Sequence, residues 1–446
     1  MADRLPQIYT WTGLFILTGA VLGMVHIPRQ QDFYVLLAFY IPAFAAYIWL
    51  YRQAAEDHLL FYLAAAVIIR LLLLPAIPNL SDDIYRFIWD GRLINAGLNP
   101  FDHLPGYYLE EGHRVPGLTA DLFARLNSPE YFTIYPPVAQ AVFATASWLF
   151  PHSITGATLV IRAVLIAAEA GTLIFLPRVL QGWGMPPKRA LLYAFNPLVI
   201  VEISGNLHFE GVMVLMFVAG LRWLQIGRIN TAALAMAGAV AAKLVPLMFF
   251  PLFIRRLYAA GRWPVVFRFF GICGAALLVF FTPLLNGVFF RNIGQSLGLY
   301  FHQFEFNAGL YYIARWIGYQ VAGYNQIAWI GPRLAILSAG FILLLAALER
   351  GKDWKSLPEI AMWSLLAYLA CGTTIHPWYT IMLLFLSLFT RWRFPVVWTG
   401  LIMLTYIHYL NGAFKENYWV IGIEYGGVLV AILIEIFGRP RRALQR

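Results

Sequence analysis

Apolar runs long enough to cross a bilayer recur along this chain from end to end, and they narrow its fold more than any other feature. They lie at about 11–28, 33–50, 58–77, 157–177, 190–204, 211–226, 231–254, 265–284, 327–349, 357–373, 378–391, 394–410 and 418–437. A helix of about 20 apolar residues spans a hydrocarbon core about 30 Å thick. Backbone N–H and C=O groups find no water there, so such runs must be helical. The 446 residues are 61% hydrophobic and 12% charged, against roughly 25% charged in soluble domains. The expectation is an all-α, polytopic membrane protein of about 13 spans, built as a single domain over residues 1–446. No small-residue cleavage site follows 11–26, so the first run reads as a span and not as a cleaved signal.

Basic residues outnumber acidic ones 32 to 22, for a formal charge of +10. In a chain of this class such an excess reports topology. None of the Lys/Arg clusters is interleaved with the stacking aromatics of a nucleic-acid groove, so no nucleic-acid partner is expected. The two cysteines, Cys273 and Cys371, both lie in apolar runs, which excludes a disulfide framework or a cysteine metal site. No metal and no cofactor is expected.

Positive clusters at 178–189, 222–228, 255–262, 350–355, 391–393 and 439–446 should face the cytoplasm, with both termini on that side. Counting crossings then forces two assignments. Segment 134–150 cannot cross if 157–177 does; it opens with Tyr-Pro-Pro and reads as a helix lying along the outer surface. Segment 231–254 lies between Arg228 and Arg255, which belong on one side, so Lys243 and Pro246 should break it into two half-helices. The chain then divides into N-terminal spans (1–77), an outer loop with juxtamembrane helices (78–153) and the remaining spans (154–446). Asp82, Asp83, His208, Glu210, Glu305, Asn307 and His376, drawn from four loops, all fall on the outer side.

The densest polar motif is Ser81-Asp82-Asp83-Ile84-Tyr85-Arg86-Phe87-Ile88-Trp89-Asp90-Gly91, directly after an apolar run. Carboxylates at the mouth of a span are costly and point to function. One of the first two acids could take a proton from a hydroxyl, with Arg86 one turn on to orient it. A plainer reading makes Ser81 a helix cap and sets both acids on the helix dipole, and the two readings are compatible. Asp90 with Arg92 reads as an interfacial ion pair. Lys243 lies inside an apolar run, which suggests an anion to meet, although a snorkelling lysine is the bland alternative. His376 precedes Pro377-Trp378-Tyr379 and serves equally well as a donor or as part of an aromatic belt. Asn206, His208 and Glu210 suit hydrogen bonding to a ligand better than metal binding, because no third ligand has matching spacing. Glu305 and Asn307 are either site lining or solvated loop. Arg162 and Glu169, two turns apart on one helix, read as a structural network inside the membrane.

Taken together, Asp82-Asp83-x-Tyr85-Arg86, Trp89-Asp90-Gly91-Arg92, Gly97-Leu98-Asn99-Pro100-Phe101 and Tyr135-Pro136-Pro137 resemble the polyprenol-phosphate-mannose-dependent mannosyltransferases of the GT-C fold. Asn196-Pro197 with Glu202, Gly205-Asn206-x-His208-x-Glu210, Lys243-Leu244-Val245-Pro246 and Pro377-Trp378-Tyr379 extend the likeness in the expected order. The resemblance implies an inverting glycosyltransferase on the outer face of the cytoplasmic membrane. Its donor would be a polyprenyl-phosphate sugar, mannose by likeness, and its acceptor a glycolipid or glycan. An acid at the start of the first outer loop would be the base, with Asp82 preferred over Asp83. Lys243, with Arg86 or His376, would meet the donor phosphate. Tyr135, Asn206, His208, Glu210, Glu305, Asn307, Trp378 and Tyr379 would line the substrate. Two alternatives remain open: another polyprenyl-phosphate sugar, and a lipid or solute transporter.

Overall fold

The computed structural model describes residues 8–410, 412 and 414–438, so the basic cluster at 439–446 and the first seven residues lie outside the described chain. Among the described residues the protein is helical throughout, with one isolated β-bridge, Phe306 to Thr374. Helices α1 (Ile8–His26), α2 (Phe33–Gln53) and α3 (Leu59–Leu71) lead to α4 (Asp83–Asn95), which begins inside the acidic motif. The short α5 (Pro137–Leu149) and the long α6 (Ile154–Gly182) follow. A broken pair comes next, Pro197–Gly205 then α7 (Glu210–Gln225), and then α8 (Ile229–Ala242) and α9 (Phe250–Phe281). The last part comprises α10 (Phe289–His302), α11 (Leu310–Ala322), α12 (Ile327–Leu348), α13 (Leu357–Cys371), two short helices, Thr380–Ser387 and Phe394–Leu401, and α14 (Tyr418–Phe437).

Among the described residues, six helical stretches are long and apolar enough to cross a membrane singly, or seven counting the broken pair, which bends by 113°. Not all of the expected spans are uninterrupted helices. The run at 58–77 yields 13 helical residues, or about 20 Å. The run at 190–204 is broken before Pro197, the run at 378–391 keeps a helix only over Thr380–Ser387, and the run at 394–410 changes at Ile402 from α-helix to a tighter 3-10 helix over Ile402–Tyr409. Helix α5 also has 13 residues, too few to cross. The interruption expected in 231–254 falls at Lys243, whose backbone is extended (φ −153°, ψ 138°). The helix that follows is broken again at Gly261 and Arg262, where Arg262 has φ 62°.

Apolar side chains divide between an outer coat and a packed interior. Ile336, Leu337, Phe341, Leu429 and Ile434 of α12 and α14 stay exposed, as suits helices facing lipid. Charge in the interior is held either by an opposite charge or by hydrogen bonds. Arg70 and Glu169 meet at 2.9 Å, both fully buried, and the Tyr193 hydroxyl donates to Glu169 at 2.6 Å. The network expected around Glu169 therefore exists, but its cation is Arg70. Arg162 instead donates to the carbonyls of Ser204 (2.6 Å), Gly205 (3.1 Å) and Leu74 (3.1 Å), and also to that of Ala76. It ties the end of the run leading to Asp82 to the broken helix leading to His208.

Segments carrying separate basic clusters pack against one another. Arg189 donates to the carbonyls of Leu388 and Thr390, Arg393 to those of Ser387 and Thr390, and Arg256 pairs with Glu349. The acidic motif and the polar loops gather elsewhere in the fold. Gly91 permits the closest approach in this part of the bundle. A Cβ there would lie 2.2 Å from the carbonyl oxygen of Phe143, so α4 and α5 are in backbone contact. Phe87 stacks on Phe143 across the same contact, with ring centroids 4.3 Å apart.

Candidate active site

Four segments distant in sequence enclose a cavity of about 630 Å³: the start of α4, the loop at 127–135, the turn carrying His208, and the loop at 374–379. Helix α10, the break at Lys243 and the segments carrying Phe306 and Tyr406 add to its wall.

Asp82 and Asp83 are neighbours in sequence with opposite environments. The Asp83 Oδ1 accepts from Asn127 Nδ2 at 2.7 Å, and its Oδ2 lies 3.6 Å from His208 Nε2. Burial alone would raise the proton affinity of Asp83, but His208, Asn127 and the charge of Lys243 outweigh it and hold the acid down at about 2. Asp82 is exposed to the cavity, and its carboxylate has no partner among the described residues. Partial burial, then the charge of Asp83, raises its proton affinity above the ordinary carboxylate value. Ser81 Oγ accepts from the Asp83 backbone N–H at 3.3 Å, but the N-cap position expected for Ser81 falls to Asp82, whose side chain makes no capping bond.

His208 sits in the turn of the broken helix, where Leu207 adopts φ 69°. Its Nδ1 is 3.0 Å from Glu202 Oε2, so the ring lies between two carboxylates. The approach to Asp83 is too long and the approach to Glu202 is poorly aimed for a directed hydrogen bond, so charge holds the ring. Burial would depress the imidazole, but the contacts and charges of Asp83 and Glu202 raise it to about 9. The cationic ring stacks on Trp378 at 3.8 Å, Trp378 on His376 at 4.5 Å, and His376 on Phe306 at 4.7 Å. Burial pushes His376 down to about 3, so it is neutral and can offer only a neutral N–H.

Lys243 reaches the cavity and meets Glu210 Oε1 at 2.9 Å. No acid lies near it in its own run; α7 supplies one. The second oxygen of Glu210 is buried without a partner. Tyr135, Glu305, Trp378 and Tyr379 also line the cavity. Glu305 is held by Tyr311 and Arg315 and accepts from Asn325 Nδ2 at 2.6 Å.

Other expected site residues stand behind the wall. Asn206 is buried and donates to Glu202 at 3.0 Å. Asn307 is buried and donates to both oxygens of Glu424 at 3.2 Å. Glu210 is reached only through Lys243. Arg86 touches the cavity but does not orient Asp82 or Asp83. It pairs with Asp90 at 2.8 Å and holds the carbonyls of Ser128 (3.2 Å) and Tyr131 (3.0 Å), fixing the loop above the site. The expected Asp90–Arg92 pair is replaced by this one, and Arg92 holds the carbonyl of Gly117. One turn of helix brings Asp90 beneath Arg86, inside the contact between α4 and α5.

Sequence reasoning had not placed Glu202, Asn127 or Tyr300 in the site. Glu202 carried a signal, an acid within an apolar run. Asn127 and Tyr300 lie in segments with no distinguishing pattern.

The family described as "Alpha-(1->6)-mannopyranosyltransferase, N-terminal domain" matches residues 14–259, more than half of the chain, from within α1 past the Lys243 break. The chain belongs to this family. Alpha-(1->6)-mannopyranosyltransferase A of Mycobacterium tuberculosis (strain ATCC 25618 / H37Rv) is 22% identical over 399 residues, covering 84% of this chain and 69% of the relative. A second alpha-(1->6)-mannopyranosyltransferase of that organism is 27% identical over 156 residues, 35% of this chain and 26% of the relative. Membership of this membrane glycosyltransferase family makes the protein an enzyme that moves a sugar from a donor to a glycan or lipid acceptor. The transporter reading is set aside.

Proposed function

We propose that the protein transfers mannose from a polyprenyl-phosphate donor to a hydroxyl of a glycolipid or glycan, on the outer face of the cytoplasmic membrane. Asp82 takes the proton of the acceptor hydroxyl. The oxygen attacks the anomeric carbon, the bond to the lipid phosphate breaks on the opposite side, and the anomeric centre inverts. Lys243 and the cationic His208 face the phosphate as negative charge grows on it. Asp83 takes no proton in this scheme; it keeps His208 charged.

The observation that carries this reading is the contrast between the two acids. Asp82 is unpartnered, faces the cavity and has a raised proton affinity. Asp83 is committed to His208 and Asn127. A general base needs a free carboxylate within reach of the acceptor.

The test is Asp82→Asn in purified protein supplied with labelled polyprenyl-phosphate mannose and membrane lipid. Transfer should fall by about a hundredfold or more with an unchanged thermal midpoint. Retention of most activity would remove Asp82 from the mechanism. No transfer by the wild type with this donor, but transfer with another polyprenyl-phosphate sugar, would correct the donor.

A further inference from the structure

A second cavity, of about 930 Å³, adjoins the first and takes no part in the chemistry above. Phe132 stands in the walls of both. Helix α10 lines both as well: Arg291, Asn292 and Gln295 face the second cavity, whereas Ser296, Leu299 and Tyr300 face the first. From the acidic site, the second cavity therefore lies just past the Phe132 rim.

Its floor is built. Asn292 is buried and donates to the carbonyls of Phe101 (2.8 Å) and Asp102 (3.2 Å). Asn99 donates to the carbonyl of Leu284 at 2.7 Å, and Asn286 to Asp102 Oδ1 at 2.5 Å. Phe101 packs on Phe289 beneath, with centroids 4.8 Å apart. Two loops about 185 residues apart are thus locked together under an open polar basin.

The chemistry of the lining differs from that of the reaction site. Asp102, Glu110 and Glu130 line it together with one guanidinium, Arg291, and the imidazole of His103, which stacks on Tyr107. A surplus of carboxylate repels phosphate and anionic headgroups, so the basin does not suit the charged part of the donor. Asn286 is committed to the floor, but the carboxylate of Glu130 with the amide of Gln295 offers paired acceptors and donors for neighbouring hydroxyls. Ligand sites occupy about 300–1,000 Å³, so this basin is large enough for several sugar rings.

We infer that the second cavity is a distal acceptor subsite for a neutral saccharide chain, holding sugars beyond the one being glycosylated. This rests on the proposed transfer reaction and narrows its acceptor to one several sugars long. The ring that reacts lies beside Asp82, and the preceding rings pass Phe132 into the basin.

The test uses alkyl mannosides carrying one or several mannose units. Two variants leave the reaction site alone: the double change Glu130→Ala with Gln295→Ala, and Gly287→Trp, which fills the basin from a position where a Cβ meets nothing within 4 Å. Wild type should show a KM about tenfold lower for the long acceptor than for the short. Both variants should lose that advantage, with kcat and the values for the short acceptor and donor unchanged. Equal KM for both lengths in wild type, or an advantage that survives Gly287→Trp, would overturn the subsite while leaving the transfer reaction standing. Binding of the long mannoside to Asp82→Asn protein without donor, followed by saturation-transfer NMR, separates the two claims. Contact that Gly287→Trp abolishes supports the subsite even where no transfer is seen with this donor, and no contact overturns it.

Discussion

Replacing His208 by glutamine removes the cation that lies between the carboxylates of Asp83 and Glu202, and the size of the effect follows from the ring's environment. The imidazole is raised from 6.5 to about 9 by Asp83 and Glu202, which corresponds to about 3 kcal/mol of attraction. From the other end, Asp83 is lowered from 3.8 to about 2, or about 2 kcal/mol. These are two views of one coupling and are not added. The imidazole value is larger because the ring also faces Glu202, and Asp83 has further help from Asn127. A histidine raised in the folded state stabilises fully below its unfolded value, and that stability disappears as pH rises through the folded value. Wild type should therefore exceed His208→Gln by about 2–3 kcal/mol near pH 6, a few degrees in thermal midpoint. The difference should close between pH 7 and 10. The assay is thermal unfolding of both proteins in one detergent across that range, read as the difference between them so that other titrating groups cancel. A difference that stays constant with pH, or no difference at pH 6, would refute the cationic bridge.

Three further outcomes follow from the same geometry. Lys243→Met should weaken stabilisation by polyprenyl phosphate and also lower the thermal midpoint, because it leaves Glu210 buried without the cation it is paired with; adding Glu210→Gln should restore the midpoint but not donor binding, as ligand-dependent thermal shifts would show. Gly91→Ala should cost about 1–3 kcal/mol or more, since the new Cβ would lie 2.2 Å from the Phe143 carbonyl oxygen; a midpoint equal to wild type would contradict the backbone contact between α4 and α5. Single cysteines at Ser128 and Ser153 should both react with an impermeant thiol reagent from outside the cell, and labelling of only the first would mean that α5 crosses the membrane.

Much of this protein can be read without its structure, because the properties concerned are local. Apolar runs report helices in lipid whatever they pack against, since the backbone has no other way to satisfy its polar groups. Lys243 and Pro246 mark a break because a charge and a ring without N–H both oppose a continuous apolar helix. The motif from Asp82 to Gly91 declares a site, since carboxylates at a span end are costly. Counting the basic clusters brings Asp83, His208, Glu305 and His376 to one side. The choice of partner within that gathering belongs to the tertiary structure. Asp82 and Asp83 are equivalent as residue types; Asn127 and His208, brought by other segments, occupy the second and leave the first free. Arg86 sits one turn from both acids yet is taken by Asp90 and two loop carbonyls. Lys243 finds Glu210 across a helix contact that no spacing in its own run implies. Charge and hydropathy are carried by each residue alone, whereas an ion pair depends on where two distant segments pack, and desolvation then decides which pairing the buried groups accept.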